Sequence, residues 1–132
     1  KKASGPAATT RAQCYANVAD LVVANFDRLM ADQGELEALV PASAWEDLSP
    51  SASPATKALL DCVVAHGGAS LAGLDMSAVK PALAQCRPQL ATVVRYAVEE
   101  KNLGEPLEQV LRKYWATATA DCVRAARLGQ IN

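Results

Sequence analysis

The sequence predicts an all-α fold, a small bundle of four main helices stapled by disulfides, with a short helical turn around Trp45. Three observations support this prediction. Apolar residues recur at three- and four-residue steps along most of the chain, which is the period of a helix. The 27 alanines among 132 residues favour helix over strand. No stretch of the sequence alternates polar and apolar residues in the manner of a half-buried strand.

The first main helix is expected to begin at Thr10, because Thr10 and Gln13 have the spacing of a capping box. Gly34 is expected to end it. Residues 1–9 are small, polar or helix-breaking, so we expect a flexible tail there and a single helical domain over residues 10–132. The apolar stripe of this helix comprises Tyr15, Val18, Val22, Phe26 and Leu29.

Residues 41–54 form the main irregular connection of the predicted fold. A serine and a glutamate three residues apart flank Trp45 and predict a single helical turn. Ser53 followed by Pro54 predicts the start of the second main helix, since serine caps well and proline fits the first helical position. This helix is expected to end near His66, which precedes two glycines.

Two further helices complete the predicted bundle. One is capped by Asp75, and Pro88 is expected to kink it because proline removes a backbone donor. The other opens at Glu105-Pro106 and ends at Gly129. The inward seam of the first comprises Val79, Leu83, Cys86, Leu90, Val93 and Ala97. The inward seam of the second comprises Leu107, Leu111, Tyr114, Ala118, Cys122 and Ala125.

The four cysteines are Cys14, Cys62, Cys86 and Cys122. An even number without a CxxC pair predicts two disulfides and an oxidising compartment, either extracellular or of the periplasmic type. The alternative is four free buried thiols in a cytosolic protein. Gaps of 48, 24 and 36 residues lack the close ligand pairs of structural zinc sites, so no metal site is expected. For an exported protein, we expect the chain beginning at Lys1 to be the mature form.

Hairpin geometry favours the disulfide pairing Cys14–Cys62 and Cys86–Cys122. The last two helices are expected to turn near residues 103 and 104, which places Cys86 level with Cys122. The alternative pairing is Cys62–Cys86 with Cys14–Cys122. Cys62 and Cys86 are equally symmetric about the connection near residue 74.

The net charge of −1 provides no long-range field to select nucleic acid, and no nucleic-acid partner is expected. No apolar run is long enough to predict a membrane span. The charge is unevenly distributed, with seven acids against one lysine over residues 32–75 and a balance of +3 over residues 109–132. These segments are expected to be solvated helix faces, the alternative being a polar surface for a charged protein partner.

No motif in the sequence supports catalysis. His66 is the only histidine, has no partner at a diagnostic spacing, and is expected to cap carbonyls or lie at the surface. Carboxylate pairs fall at predicted helix ends and loops, not in a pattern typical of hydrolytic sites. Gly67-Gly68 lacks the lysine and strand of a phosphate loop. We therefore expect no catalytic residues, no cofactor and no enzymatic activity.

The leading functional hypothesis is a secreted, non-enzymatic carrier of a small hydrophobic ligand, such as a lipid, held between the helices. A kink at Pro88 would open space there. Tyr114 and Trp115 point about 100° apart on a helix, so one of them is expected at a helix boundary or at the surface. The expected ligand contacts are Phe26, Leu83, Leu90, Tyr114 and Trp115.

The alternative is a secreted interaction module, such as an inhibitor, effector or structural subunit, that acts through a helical face or the 41–54 loop. Its partner would be another protein or a second copy of the chain. In size, helix content and cysteine number, the sequence resembles the four-cysteine insect odorant-binding proteins and the plant invertase and pectin-methylesterase inhibitors. The cysteine spacing differs from both families, so neither is assigned.

Overall fold

The computed structural model describes residues 10–40, 42–67 and 76–132, and these residues form helices without a strand. The predicted all-α class is confirmed. The predicted tail over residues 1–9 and the predicted cap at Asp75 lie outside the described residues. The helices of the described residues are α1 (Arg11–Ala24), α2 (Phe26–Ala31), α3 (Gln33–Leu39), α4 (Ala42–Asp47), α5 (Pro54–Gly67), α6 (Met76–Ala84), α7 (Arg87–Glu100), α8 (Gly104–Lys113) and α9 (Thr117–Arg127).

Three of the four main helices are divided into shorter ones. The first is interrupted at Asn25 and Asp32, so Gly34 lies inside α3 and does not terminate a helix. The third breaks before Cys86, which places Pro88 in the first turn of α7 instead of at a kink within one helix. The fourth breaks over residues 114–116, between α8 and α9.

Several predicted helix ends are confirmed by their hydrogen bonds. The Thr10 side chain accepts from the backbone N–H of Gln13 at 3.0 Å. The Ser53 hydroxyl accepts from the backbone N–H of Thr56 at 3.1 Å, and Ser53 is fully buried. Gly129 follows α9 with a φ of 73°, the left-handed conformation that glycine adopts most readily.

The buried side chains of the described residues form two clusters. The first lies where α1 packs against α7 and α9, and it contains Tyr15, Val18 and Val123. The second lies where α5, α6 and α7 meet near the end of α1, and it contains Phe26 and Leu90. Both clusters contain alanines, whose small side chains allow helices to approach closely.

Each cluster is closed by one disulfide, and the favoured sequence-based pairing is wrong. Cys14 is joined to Cys122 with a Cα–Cα distance of 5.9 Å, and Cys62 is joined to Cys86 at 6.0 Å. All four cysteines are therefore paired, as predicted, but in the arrangement that was left open. The first bridge ties α1 to α9, and the second ties α5 to the N-terminus of α7.

The break between α8 and α9 explains the pairing. Trp115 adopts a φ of 63°, and the chain reverses there so that α8 and α9 pack side by side. Cys122 is carried back against α1 by this reversal and does not lie level with Cys86. No glycine or proline marks the turn in the sequence.

Candidate ligand-binding cavity

An apolar cavity of about 230 Å³ lies between α7 and α8 on one side and the α3–α4 segment on the other. Every residue that lines it is apolar. The lining residues are Leu36, Val40, Trp45, Leu48, Val93, Val94, Ala97, Leu103, Pro106, Leu107 and Val110. Such a lining can bury the apolar surface of a ligand but offers it no side-chain hydrogen bond.

The rigid wall of the cavity is the surface formed by α7 and α8. Val93 and Ala97 lie one helical turn apart on α7, and both belong to the seam predicted from the sequence. Leu107 and Val110 provide the corresponding surface of α8. Because alanine has only a methyl group, Ala97 leaves space that a larger seam residue would fill.

The opposite wall is formed by α3 and α4, which carry few buried side chains. None of the side chains of α3 is fully buried, and Ala44 is the buried residue of α4. Trp45 lines the cavity while 44% of its surface remains exposed. It also borders an adjoining cleft of about 210 Å³ with Leu29 and Met30. This wall is therefore held by less burial than the α7–α8 wall.

Polar contacts fasten α3 to the end of α8, and we call this group the α3–α8 latch. The Tyr114 hydroxyl donates to Asp32 Oδ2 at 2.7 Å, and Lys113 forms an ion pair with Glu35. The guanidinium of Arg28 lies 4.5 Å from the centroid of the Tyr114 ring, within cation–π range. Burial, followed by the hydrogen bond to Asp32, raises the pKa of Tyr114 above its usual value.

The five residues predicted to contact a ligand do not meet in this cavity. Phe26, Leu83 and Leu90 are buried in the second core cluster. Tyr114 belongs to the latch and borders a smaller cavity of about 40 Å³ beside α1. Trp115 is 89% exposed.

Sequence reasoning missed most of the cavity lining. Leu36 and Val40 stood beyond the predicted end of the first helix, Leu103 stood in a predicted turn, and Pro106 stood at the predicted start of the last helix. For Trp45, the sequence predicted only a single helical turn. The available signals were the two predicted seams, since Val93 and Ala97 of the first seam and Leu107 of the second all line the cavity.

A second polar group joins α1 to α7 beside the first core cluster. The Tyr15 hydroxyl donates to Glu99 Oε2 at 2.7 Å, and Arg11 Nη1 donates to the same oxygen at 3.1 Å. Burial acts to raise the pKa of Glu99, but the hydrogen bonds from Tyr15 and Arg11 and the nearby positive charges outweigh it and lower the pKa. Burial and the bond to Glu99 raise the pKa of Tyr15. Tyr15 itself is buried in the core, so this group fastens two helices.

Among the described residues, one cluster of side chains has the composition of a metal site. The ligand atoms of Cys62, His66 and Cys86 all lie within 4.8 Å of one another. The two cysteines form a disulfide, so neither offers a thiolate in this state.

Comparison with family models, with curated protein sequences and with solved structures finds no significant match to this chain. Within the described residues, no helix is both long enough and apolar enough to cross a membrane.

Proposed function

We propose that the protein is an exported, non-enzymatic carrier that holds a small apolar ligand in the cavity between α3, α4, α7 and α8. The observation that supports this proposal most strongly is the cavity itself, about 230 Å³ of space lined by apolar side chains alone. Apolar pockets between helices are common ligand sites in helical bundles. The paired state of all four cysteines is compatible with an oxidising compartment.

The volume and chemistry of the cavity define the ligand class. An engineered apolar cavity of about 150 Å³ binds benzene, which has six heavy atoms. By proportion, the cavity here suits a compact hydrocarbon of roughly nine heavy atoms. With no side-chain partner for a polar group, the ligand is expected to be a hydrocarbon or a hydrocarbon tail. Burial of its surface supports dissociation constants on the order of ten micromolar.

In this proposal, the ligand enters when the α3–α4 wall moves away from the α7–α8 wall. This wall has little buried surface, and the α3–α8 latch holds it through a few partly exposed polar contacts. Segments with few buried contacts open at low free energy. The α7–α8 wall would stay in place, because Val94 and Leu111 anchor it in the first core cluster.

Trp45 provides a direct test of the proposal, because it is the tryptophan that lines the cavity. The Trp115→Phe variant leaves Trp45 as the only tryptophan of the chain. Titration with cumene, a hydrocarbon of nine carbons, should shift the Trp45 emission to shorter wavelength and saturate at one molecule per chain. Calorimetry should give the same stoichiometry.

A pair of alanine variants distinguishes the cavity from nonspecific binding. Ala97→Leu fills the cavity and should weaken cumene binding at least about tenfold, through steric exclusion. Ala58→Leu makes the same change on the exposed face of α5 and should leave binding unchanged. Equal affinity in the two variants, or no saturable binding by the Trp115→Phe chain, would refute the carrier proposal.

The interaction module remains the second candidate because of Trp115. Its indole is 89% exposed, and its backbone adopts a positive φ that tryptophan rarely occupies. Exposed tryptophans often anchor protein interfaces. Sedimentation of the ligand-free chain over a range of concentrations tests self-association. Assembly that Trp115→Ser abolishes would favour this candidate over the carrier.

A further inference from the structure

His66 lies beside the Cys62–Cys86 disulfide, and the three side chains come from two helices. Cys62 and His66 are four residues apart on α5, so they share one face of that helix. Cys86 is the N-cap of α7, which packs against α5. The two sulfur atoms and one imidazole nitrogen lie within 4.8 Å of one another. The packing of α5 against α7, together with the disulfide, thus brings together three side chains of metal-ligating types.

Two thiolates and one imidazole form a donor set typical of zinc. Zn²⁺ binds cysteine sulfur at about 2.3 Å and histidine nitrogen at about 2.0 to 2.1 Å in tetrahedral geometry. Ligand atoms around such an ion lie roughly 3.5 to 3.8 Å apart. The imidazole nitrogen lies within 4.8 Å of both sulfur atoms, which exceeds this spacing by about 1 Å at most. The main movement needed to bind a metal ion is therefore the separation of the two sulfur atoms.

We propose that reduction of the Cys62–Cys86 disulfide creates a Cys₂His site for a divalent cation of borderline softness, such as Zn²⁺. A dithiol reductant supplies two electrons and two protons, the S–S bond breaks, and the reductant leaves as its own disulfide. Each cysteine then gives up its proton as its thiolate binds the cation. Disulfide and metal site are mutually exclusive states of the same two sulfur atoms.

The local environment favours reduction and metal binding at the Cys62–Cys86 disulfide over the Cys14–Cys122 disulfide. Cys62 is partly exposed and His66 is exposed, whereas Cys86 is buried, so a reductant and a cation reach the pair from the side of Cys62. Cys86 stands at the N-terminus of α7, where the helix stabilises a thiolate. Cys14 and Cys122 are 0% and 4% exposed, and the single histidine of the chain is not beside them. His66 would therefore act as a metal ligand, whereas the sequence predicted only a capping or surface role at the end of its helix.

Cobalt titration of the reduced full-length chain tests the proposal. The chain is reduced anaerobically with a phosphine, which takes up oxygen from water as the disulfide becomes two thiols and does not compete strongly for the metal. One Co²⁺ per chain should bind and give a thiolate-to-cobalt charge-transfer band, and Zn²⁺ should abolish the band. The oxidised chain should give no band.

Two exposed residues of α5 provide the matched variants. His66→Ala should weaken Co²⁺ binding by at least about tenfold, because it removes one of three protein ligands. Asp61→Ala removes a neighbouring carboxylate that pairs with Lys57 and should leave binding unchanged. Equal binding by the wild type and His66→Ala, or no band in the reduced wild type, overturns the proposal. Loss of helical circular dichroism on reduction also overturns it, because the site needs α5 and α7 in register.

Discussion

The Tyr114 hydroxyl donates to Asp32 Oδ2 at 2.7 Å, and this bond joins two helix junctions that are 82 residues apart in the chain. Asp32 stands between α2 and α3, and Tyr114 is the first residue after α8. The bond therefore fixes the start of the α3 wall against the end of the α8 wall.

Removal of this hydroxyl should loosen the α3 wall. Tyr114→Phe is expected to lower the free energy of unfolding by about 1 to 2 kcal/mol, since the bond to a carboxylate is charge-assisted. Hydrogen exchange should rise in α3 more than in α7. Tyr96→Phe, which removes a hydroxyl outside the latch, serves as the control. Unchanged exchange in α3 after Tyr114→Phe would show that the latch does not hold the wall.

The same bond should make the latch sensitive to alkaline pH. The pKa of Tyr114 is raised in the folded chain, so its contribution to stability is fully present below the unfolded value of about 10 and is lost as the pH rises through the folded value. The pKa of Tyr15 is also raised, so ionisation of Tyr15 at high pH destabilises the wild type and the variant alike. The difference in unfolding free energy between wild type and Tyr114→Phe isolates Tyr114, and it should shrink above about pH 10. A constant difference would contradict the assignment.

Glu99 should have the opposite pH dependence. Its pKa is lowered in the folded chain, so its contribution is present above the unfolded value of about 4.3 and is lost as the pH falls through the folded value. Glu99→Gln removes the titrating carboxylate and should flatten the acid limb of a stability curve measured between about pH 2 and 6. Glu100→Gln, at an exposed neighbouring position, should keep the limb. The interpretation fails if both variants give the wild-type curve.

The sequence predicted the fold class and the helix starts because these depend on local signals. Thr10 and Ser53 cap helices through contacts three residues away. The breaks at Asn25 and Trp115 carry no comparable signal, since tertiary packing stabilises them. The disulfide pairing could not be derived without the break at Trp115. The chain reversal there places Cys122 beside α1, whereas an unbroken helix was expected to place it beside Cys86.

The cavity was harder to predict than the fold. Its α7 wall follows from the periodicity that includes Val93 and Ala97. Its α3–α4 wall depends on polar contacts such as Lys113 with Glu35, whose partners are 78 residues apart in the sequence. A cavity is also a property of incomplete packing, which a residue pattern does not encode.

The two disulfides should contribute unequally to stability. Chain-entropy estimates for loops of 108 and 24 residues give about 4.8 kcal/mol for Cys14–Cys122 and about 3.4 kcal/mol for Cys62–Cys86. The double variant Cys14→Ala/Cys122→Ala should therefore unfold at lower urea than Cys62→Ala/Cys86→Ala. Peptide mapping without reduction should recover peptides that join Cys14 to Cys122. A peptide that joins Cys14 to Cys62 would contradict the observed pairing.

Two glycines should respond in opposite directions to replacement by alanine. A Cβ at Gly104 would stand 2.5 Å from Arg127 Cδ, so the arginine would have to move. Arg127 Nε donates to Glu108 Oε2 at 2.8 Å, and Glu108 is only 7% exposed. Gly104→Ala should therefore destabilise the chain by about 1 to 3 kcal/mol, the cost of a buried carboxylate that loses its partner.

Gly34 is the matched control, because it lies within α3 and a Cβ there meets nothing within 4 Å. Gly34→Ala should stabilise the chain by about 0.5 to 1 kcal/mol, since alanine loses less backbone freedom on forming a helix. Urea unfolding of both variants measures the two changes under one condition. If Gly104→Ala proves as stable as the wild type, Arg127 can move without releasing Glu108. The close approach of α8 to α9 would then not require a glycine at position 104.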